Sequence, residues 1–422
     1  MTGTSASLAD PGRWPLWAAL ALLFAGLPWL FDSGFSITLL SQMGVMIVFA
    51  LSYNMLFGQG GMLSFGHAVY SGLGAFFTIH ALNWASAGAL PMSLPLPLLP
   101  LAGGLAGAAF GVLFGYVTTR KAGTPFAMIT LGIGELVFAA AAMLPSFFGG
   151  EGGISGNRVL GRPWLGFSFG PAIEVYYLIA VWCFACIAAM YAFTRTPLGR
   201  IVNAVRDNPE RAEFIGYDTR RVRWLVLIAS AFFAGIAGGL AAINFEIVTA
   251  ENLSLQRSAA ALLATVIGGS AIFIGPALGA ILFVFFAVAL SEYTQAWQLY
   301  LGLFFVLMVM FVPGGVAALL AAQWRAIGRG RFTALLAVYA SALLIAAPLM
   351  GGAVLLIELG YRLSLASEGS ARLSWLGVGL DAASPWSWAL AATLLAAGVA
   401  ALAGLRRPIA ERWRSMQPGQ AR

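Results

Sequence analysis

Long apolar runs separated by short polar segments dominate this chain of 422 residues. Hydrophobic residues make up 60% of the sequence and charged residues only 9%, against about 25% charged residues in an ordinary soluble domain. A soluble fold could not bury so much apolar surface, and disorder requires low hydrophobicity with high charge. Because a helix crosses the hydrocarbon with about 20 apolar residues, the sequence predicts an all-α polytopic membrane protein.

Twelve apolar runs are candidate membrane spans, with the first interpreted as an uncleaved span because no small-residue cleavage site follows it. The runs are 14–30, 36–57, 64–82, 97–118, 125–145, 172–194, 224–243, 258–273, 276–291, 297–312, 333–357 and 386–405. Gly275-Pro276 splits one pair, so 258–273 is either spanning or re-entrant. The runs predict a ten-span body (1–315), a basic linker (316–332) and a two-span hairpin with its tail (333–422).

The basic residues predict the orientation of the chain. With the N-terminus in the cytoplasm, 18 of the 23 lie inside and 5 lie outside. The outside five are Arg158, Arg162, Arg257, Arg362 and Arg372. This positive-inside bias predicts that both termini are cytoplasmic, and it explains the net charge of +7 without a nucleic-acid partner.

A glycine-rich break interrupts the second run. Gly58, Gly60 and Gly61 disturb an otherwise helical pattern. Inside a membrane, the backbone groups freed by such a break must be buried in protein or line a wet cavity. Polar residues beside the break favour a path-lining element over a plain turn, and they are Asn54, Gln59, Ser64 and His67.

A weaker copy of this break occurs at Gly268-Gly269, ahead of Gly275-Pro276-Ala277. Discontinuous helices at matching positions of two halves indicate a transport path. Both breaks fall on the inner side in the span count, which does not fit a simple five-plus-five inverted repeat. Thr130 and Glu135 in run 125–145 complete the candidate path, because an intramembrane carboxylate is costly unless it is partnered or wet.

The inner segment 195–223 carries helix punctuation that a mere topology anchor does not need. Thr196-Pro197 and Asn208-Pro209 are N-cap signals and Gly216 is a stop signal, so two short helices joined at Asn208 are predicted. Such patterned helices suit a docking surface for a cytoplasmic partner. The candidate docking residues are Gly199, Arg200, Arg206, Asp207, Asn208, Glu210, Arg211 and Gly216.

Nothing in the sequence indicates catalysis, a metal or a cofactor. Cys183 and Cys186 lie within one apolar run, without further cysteines to complete a site, and are interpreted as packing residues. The chain contains no Walker sequence, so any ATP must be hydrolysed by another subunit. For His67, a structural hydrogen bond is favoured over a proton relay, since no carboxylate lies near it in sequence.

The stretch from Ser52 to His67 resembles the signature of the permease subunits of branched-chain amino acid ABC importers. So do Thr196-Pro-Leu-Gly-Arg200 with 204–208, the Ala/Gly-rich residues 231–241, Thr130-Leu-Gly and Gly268-Gly. The resemblance covers roughly residues 36–315 and is closer to the M-type permease than to its H-type partner. The hairpin at 333–405 lies beyond the usual family body and is expected to be peripheral.

The resemblance implies a subunit of the bacterial inner membrane that assembles with a second related permease, two cytoplasmic ATPases and a periplasmic binding protein. It places the coupling element at about residues 199–217. Related systems carry urea, short amides or aromatic acids, so these substrates stay open beside branched-chain amino acids. Two other readings also stay open: a proton-coupled secondary transporter that uses Glu135 and His67 as a relay, and a non-transporting scaffold.

Overall fold

The computed structural model describes residues 14–87, 95–160, 166–328, 332–364, 372–375, 378–382 and 384–416. Five of the arginines used to predict the orientation lie outside these residues. They are Arg13, Arg162, Arg329, Arg331 and Arg422. Residues 329–331 of the predicted linker (316–332) also lie outside the described residues.

The described residues form an all-α protein with two short antiparallel strand pairs, which confirms the predicted fold class. The helices are α1 Trp14–Leu30, α2 Gly34–Asn54, α3 His67–Ser86, α4 Leu99–Thr118, α5 Thr124–Met143, α6 Pro145–Phe148, α7 Ala172–Arg195, α8 Pro197–Asp207, α9 Pro209–Phe214, α10 Thr219–Phe245, α11 Leu255–Gly268, α12 Gly275–Val284, α13 Trp297–Phe311, α14 Gly315–Gly328, α15 Phe332–Ser364 and α16 Pro385–Met416. The strands are β1 Ile154–Ser155, β2 Ile247–Val248, β3 Arg372–Trp375 and β4 Val378–Asp381, with β1 paired to β2 and β3 to β4.

Each of the twelve apolar runs coincides largely with a helix. Within the described residues, seven helices are long and apolar enough to cross a membrane, or up to eight if the bent pair α13–α14 is one span. The protein is therefore a polytopic membrane protein, and the count of twelve spans stays a prediction. The run predicted at 258–273 is shorter as a helix, because α11 ends at Gly268 and Gly269 adopts a φ of 101°.

The chain divides into two compact units. The first comprises Met1–Glu292 with Leu301–Ala318, and the second comprises Tyr293–Tyr300 with Leu319–Arg422. In the first unit, α10 packs against α3 and α4, and α2 packs against α7, α10 and α12. Residues Gly44 to Leu56 of α2 and the following turn are buried without interruption, so this segment is the centre of the first unit.

Glycines allow the helices around α10 to approach closely. A Cβ at Gly103 would lie 2.6 Å from the Gly235 carbonyl oxygen, and a Cβ at Gly74 would lie 2.6 Å from the Gly235 Cα. Small residues serve this purpose in membrane helices because they bring backbones into van der Waals contact. Larger side chains at these positions would force α3, α4 and α10 apart.

The second unit is built on the pairing of α15 with α16. Glu358 on α15 accepts hydrogen bonds from the Thr294 hydroxyl at 2.6 Å and the Tyr300 hydroxyl at 3.1 Å. Most of the segment predicted as a basic linker, 316–332, belongs to α14. Its Ala-rich sequence explains the helix, since alanine has the highest helix propensity.

Candidate functional site

The first glycine-rich break is a change of helix type followed by an extended segment. Helix α2 passes at Asn54 into a π-helical turn, Met55–Gln59, and the chain re-enters a helix only at His67. Gly61 adopts a φ of +64°, which glycine tolerates without strain. Isolated π-helical turns occur frequently at functional sites.

Most polar side chains of this segment are buried. Asn54, Ser64 and His67 are at most 2% exposed. Five buried side-chain atoms lack a hydrogen-bond partner within the described residues, and four of them lie here: Asn54 Oδ1, Gln59 Oε1, Ser64 Oγ and His67 Nδ1. More than 90% of buried polar groups in proteins are hydrogen-bonded, so this concentration marks the segment out from the rest of the chain.

His67 lies in an aromatic enclosure rather than beside a carboxylate. Its Nε2 is 3.0 Å from the Ser52 hydroxyl, and its ring stacks on Phe49 with a centroid distance of 5.4 Å. The Arg257 guanidinium lies 5.7 Å from the centre of the same Phe49 ring, a contact that the sequence did not indicate. This surrounding supports the structural hydrogen bond that the sequence favoured for His67.

Helix α5 packs against the extended segment through Thr130. The Thr130 hydroxyl accepts a hydrogen bond from the Phe65 backbone N–H at 3.2 Å, and a Cβ at Gly66 would overlap the Thr130 carbonyl oxygen. Glu135 lies further along α5 with its side chain exposed. Within the described residues, no hydrogen bond or ion pair joins Glu135 to His67. The structure thus places Thr130 at the break and leaves Glu135 on an outer face.

The two glycine-rich breaks are neighbours in space. A Cβ at Gly58 would lie 2.7 Å from the carbonyl oxygen of Ser270, the residue after Gly268-Gly269. This contact agrees with the span count, which placed both breaks on one side. At the second break, a Cβ at Gly269 would overlap the Gly314 carbonyl oxygen, so the backbone preceding α14 packs there as well.

Segment 195–223 forms the two short helices that the sequence predicted, α8 and α9. The Thr196 hydroxyl accepts from the Gly199 N–H at 3.1 Å, and Asn208 Oδ1 accepts from the Arg211 N–H at 2.9 Å, as N-caps do. Gly216 follows α9 with a φ of 92°. The prediction of two capped helices joined at Asn208 is confirmed.

Arg206 connects α8 to the first break. Its Nη1 donates to the Gly58 carbonyl oxygen at 2.5 Å, while its Nε and Nη2 contact Asp207 Oδ1 at 2.9 and 2.8 Å. A Cβ at Gly61 would lie 2.7 Å from the Arg206 Cγ. The guanidinium therefore satisfies a backbone carbonyl that the helix break leaves free, and it links loop and break directly.

The remaining docking candidates differ in exposure. Gly199 is buried, because a Cβ there would overlap the Phe193 carbonyl oxygen, whereas Arg200, Glu210 and Arg211 are exposed. Sequence reasoning missed two apolar residues of the same loop: Phe214 is 91% exposed and Ile215 is 68% exposed. Two adjacent bulky apolar residues in a polar loop were the signal that could have found them.

The cysteine pair belongs to the core. Cys183 and Cys186 are 0% and 2% exposed, and both are free thiols. Among the described residues, no group of three or more His, Cys, Asp or Glu side chains could hold a metal ion. The first break itself is built from an interrupted helix, buried polar side chains and packing contacts.

Comparison with known proteins gives this arrangement a context. The model of the family described as "Branched-chain amino acid transport system / permease component" matches residues 35–313. The chain is 27% identical over 319 residues to the high-affinity branched-chain amino acid transport system permease protein LivM of Escherichia coli (strain K12), covering 71% of this chain and 73% of the relative. Identity to LivM of Salmonella typhimurium is also 27% over 319 residues, covering 70% of this chain and 73% of the relative.

No solved structure matches the chain at a significant level. The family match nevertheless covers both glycine-rich breaks, segment 195–223 and the contact of Arg206 with Gly58. It ends just before α14 and leaves out α15 and α16. On this match over most of its length, the chain belongs to the family of branched-chain amino acid transport permeases.

Proposed function

We propose that this protein is one permease subunit of an ATP-driven importer and forms part of the translocation path for branched-chain amino acids. Its partners are a second related permease, two cytoplasmic ATPases and a periplasmic binding protein, in a bacterial inner membrane with both termini cytoplasmic. The family supports transport, and the observation that carries the coupling is the hydrogen bond from Arg206 to the broken helix at Gly58.

The first break supplies the polar part of the path. Unpartnered atoms of Asn54, Gln59 and Ser64 follow one another along the π-helical turn and the extended segment. An unsatisfied buried polar group costs about 1–3 kcal/mol, so several of them in one stretch need water or a polar substrate during the transport cycle. We assign these side chains, together with Gly60, Gly61 and the adjoining Gly268-Gly269, to the path.

The exposed face of α5 supports a second permease. Glu135 and Leu136 are exposed, and a Cβ at Gly132 would meet nothing within 4 Å. A carboxylate facing lipid in the middle of a span is expensive. A second subunit packed on this face would cover Glu135 and place it beside the path.

The apolar tip of loop 195–223 is the proposed ATPase contact. Phe214 and Ile215 project from the end of α9, and exposed Glu210 and Arg211 flank them. An apolar centre with a charged rim is the usual anatomy of a protein interface. Docking at α9 would move α8, and Arg206 would pass that movement to the break at Gly58.

The assembled importer is the direct test of the function. Reconstituted with its second permease, ATPases and binding protein, the complex should accumulate leucine, isoleucine or valine only with ATP. The chain alone should show neither ATPase activity nor uptake. Uptake by the chain alone, driven by a proton gradient, would instead establish the secondary-transporter alternative, and uptake of urea or short amides in place of amino acids would replace the substrate.

Two variants of the loop separate docking from coupling. Phe214→Ala with Ile215→Ala should lose the ATPases on co-purification, since truncating central interface contacts commonly costs about 2 kcal/mol or more each. Arg206→Ala should retain the ATPases and lose substrate-stimulated ATP hydrolysis. Arg195→Ala is the matched control, because the Arg195 guanidinium binds the Tyr191 hydroxyl at 2.6 Å rather than the break. Equal stimulation in Arg206→Ala and Arg195→Ala would refute the coupling role.

A further inference from the structure

A basic cavity lies where the end of α4 meets the start of α10, away from the glycine-rich breaks. Its volume is about 330 Å³, and it is lined by Tyr116, Thr119, Asp218, Arg220, Arg221 and Trp224. Two polar groups of this lining already have hydrogen-bond partners within the protein. The Thr119 hydroxyl donates to the Gly115 carbonyl oxygen at 2.7 Å, and Trp224 Nε1 donates to the Val112 carbonyl oxygen at 3.1 Å.

The cavity has an excess of positive charge. Arg220 and Arg221 line it, and Arg120 lies beside it: the guanidinium groups of Arg120 and Arg220 are 4.6 and 5.2 Å from the centre of the Tyr116 ring. Asp218 is the carboxylate that lines the cavity, and both of its oxygens have partners. Its Oδ1 accepts hydrogen bonds from the backbone N–H groups of Arg220 and Arg221, and its Oδ2 pairs with Arg221 Nε at 3.2 Å. Within the described residues, no ion pair joins the Arg120 or Arg220 guanidinium to a carboxylate.

An exposed apolar strip adjoins the cavity. Val112, Leu113 and Val117 on α4 are 44%, 60% and 52% exposed, and they belong to a span candidate. Tyr116 and Trp224 adjoin both this strip and the arginines, and the centres of their rings are 6.2 Å apart. Such aromatic residues are typical of the membrane–water interface. The cavity thus joins a positively charged side to an exposed apolar surface.

We infer that this cavity binds the phosphate group of an anionic membrane phospholipid, whose acyl chains lie along α4. Arginine suits phosphate because its planar guanidinium donates parallel hydrogen bonds, and basic pockets between spans on the cytoplasmic side bind anionic head groups. The inference uses the proposed orientation only to assign the lipid to the cytoplasmic leaflet. Its test does not involve transport, so its failure and a failure of the proposed importer are distinguishable.

Lipid binding to the purified, delipidated full-length chain in detergent is the measurement, by native mass spectrometry. The probes are phosphatidylglycerol, phosphatidylcholine with the same acyl chains, and inorganic phosphate. Phosphatidylglycerol should bind more tightly than either other probe. Arg220→Gln should weaken its binding about tenfold, as the loss of one hydrogen bond to a charged group commonly does, whereas Arg220→Lys should lose less.

Arg195→Gln is the matched control, because Arg195 also lies over a tyrosine ring, 5.1 Å from the centre of Tyr191, and its removal changes the net charge equally. Equal binding by Arg220→Gln and Arg195→Gln would overturn the inference. Inorganic phosphate binding as tightly as phosphatidylglycerol would show a free-phosphate site instead of a lipid site. Equal binding of phosphatidylglycerol and phosphatidylcholine would remove the role of the anionic phosphate group and would also overturn the proposal.

Discussion

At the scale of single residues, Arg158 shows how much one side chain can hold together. Its guanidinium donates to the carbonyl oxygens of Phe169 at 2.8 Å and Asn244 at 3.0 Å, and it pairs with Glu246 Oε2 at 3.5 Å. Glu246 itself adopts a φ of 57° at the end of α10. One cation therefore caps the end of α10 and ties it to the loop that precedes α7.

Arg158→Ala should destabilise the protein by about 1–3 kcal/mol, because it leaves several backbone carbonyl oxygens without their donor and removes the ion pair with Glu246. The check is the thermal unfolding midpoint in detergent, with Arg158→Lys expected in between, since an ammonium cannot reach all these acceptors together. Arg221→Ala is the control, because its pair with Asp218 has side chains 81% and 51% exposed and exposed pairs contribute about 0–1 kcal/mol. Equal shifts for Arg158→Ala and Arg221→Ala would contradict this role.

At the scale of elements, α9 is too short to be stable by itself. It has only six residues, whereas isolated helices need roughly 12–15 residues to be even marginal in water. The Asn208 cap and the hydrogen bond from the Thr219 hydroxyl to Glu213 Oε1 at 2.7 Å hold it in place. The proposed ATPase contact therefore depends on local capping, together with the burial of Ala212 in α9.

Asn208→Ala should loosen α9 while leaving α8 intact. Loss of an N-cap costs about 1 kcal/mol, which corresponds to roughly fivefold faster hydrogen exchange of the amides in 209–217. Asn203→Ala is the control, because Asn203 lies inside α8 and bonds the Gly199 carbonyl oxygen at 3.0 Å. If exchange in 209–217 is the same in both variants, capping does not hold α9.

At the scale of the whole molecule, most of the second unit, Leu319–Arg422, lies outside the match to the family, whereas its short segment Tyr293–Tyr300 lies within it. The family match ends at residue 313, and the last boundary between the units follows Ala318. Unit 2 has its own packing, in which α15 meets α16 and Leu355 and Leu359 are fully buried. These features support the proposal that α15 and α16 are peripheral to transport.

A stop codon after Gly328, the last residue of α14, should leave most of the uptake by the assembled importer. A stop after Phe311 is the control and should abolish uptake, because it removes Gly314 and Gly315, which pack against Gly269 at the second break. Uptake is compared at equal amounts of inserted protein. Complete loss of uptake with the chain that ends at Gly328 would place part of the transport machinery in unit 2.

The sequence by itself determined the features that depend only on residues close together along the chain. Apolar runs predicted the helices, because a backbone in lipid must satisfy its own hydrogen bonds. The sequence also predicted the caps at Thr196 and Asn208 and the glycine-rich break at 58–61. Each of these features depends on only a few neighbouring residues. The family resemblance over roughly 36–315 was likewise carried by these local motifs.

Only the tertiary structure decided which of these local features meet. Arg206 reaches Gly58 across 148 positions, Gly58 packs beside Ser270, and Glu135 is left on an outer face away from His67. Sequence patterns carry no distance information across such separations, and an arginine on a polar loop looks the same whether it faces water or a free carbonyl. Close packing of the helices determines which of these features are in contact, because the glycines allow approaches that any side chain would block.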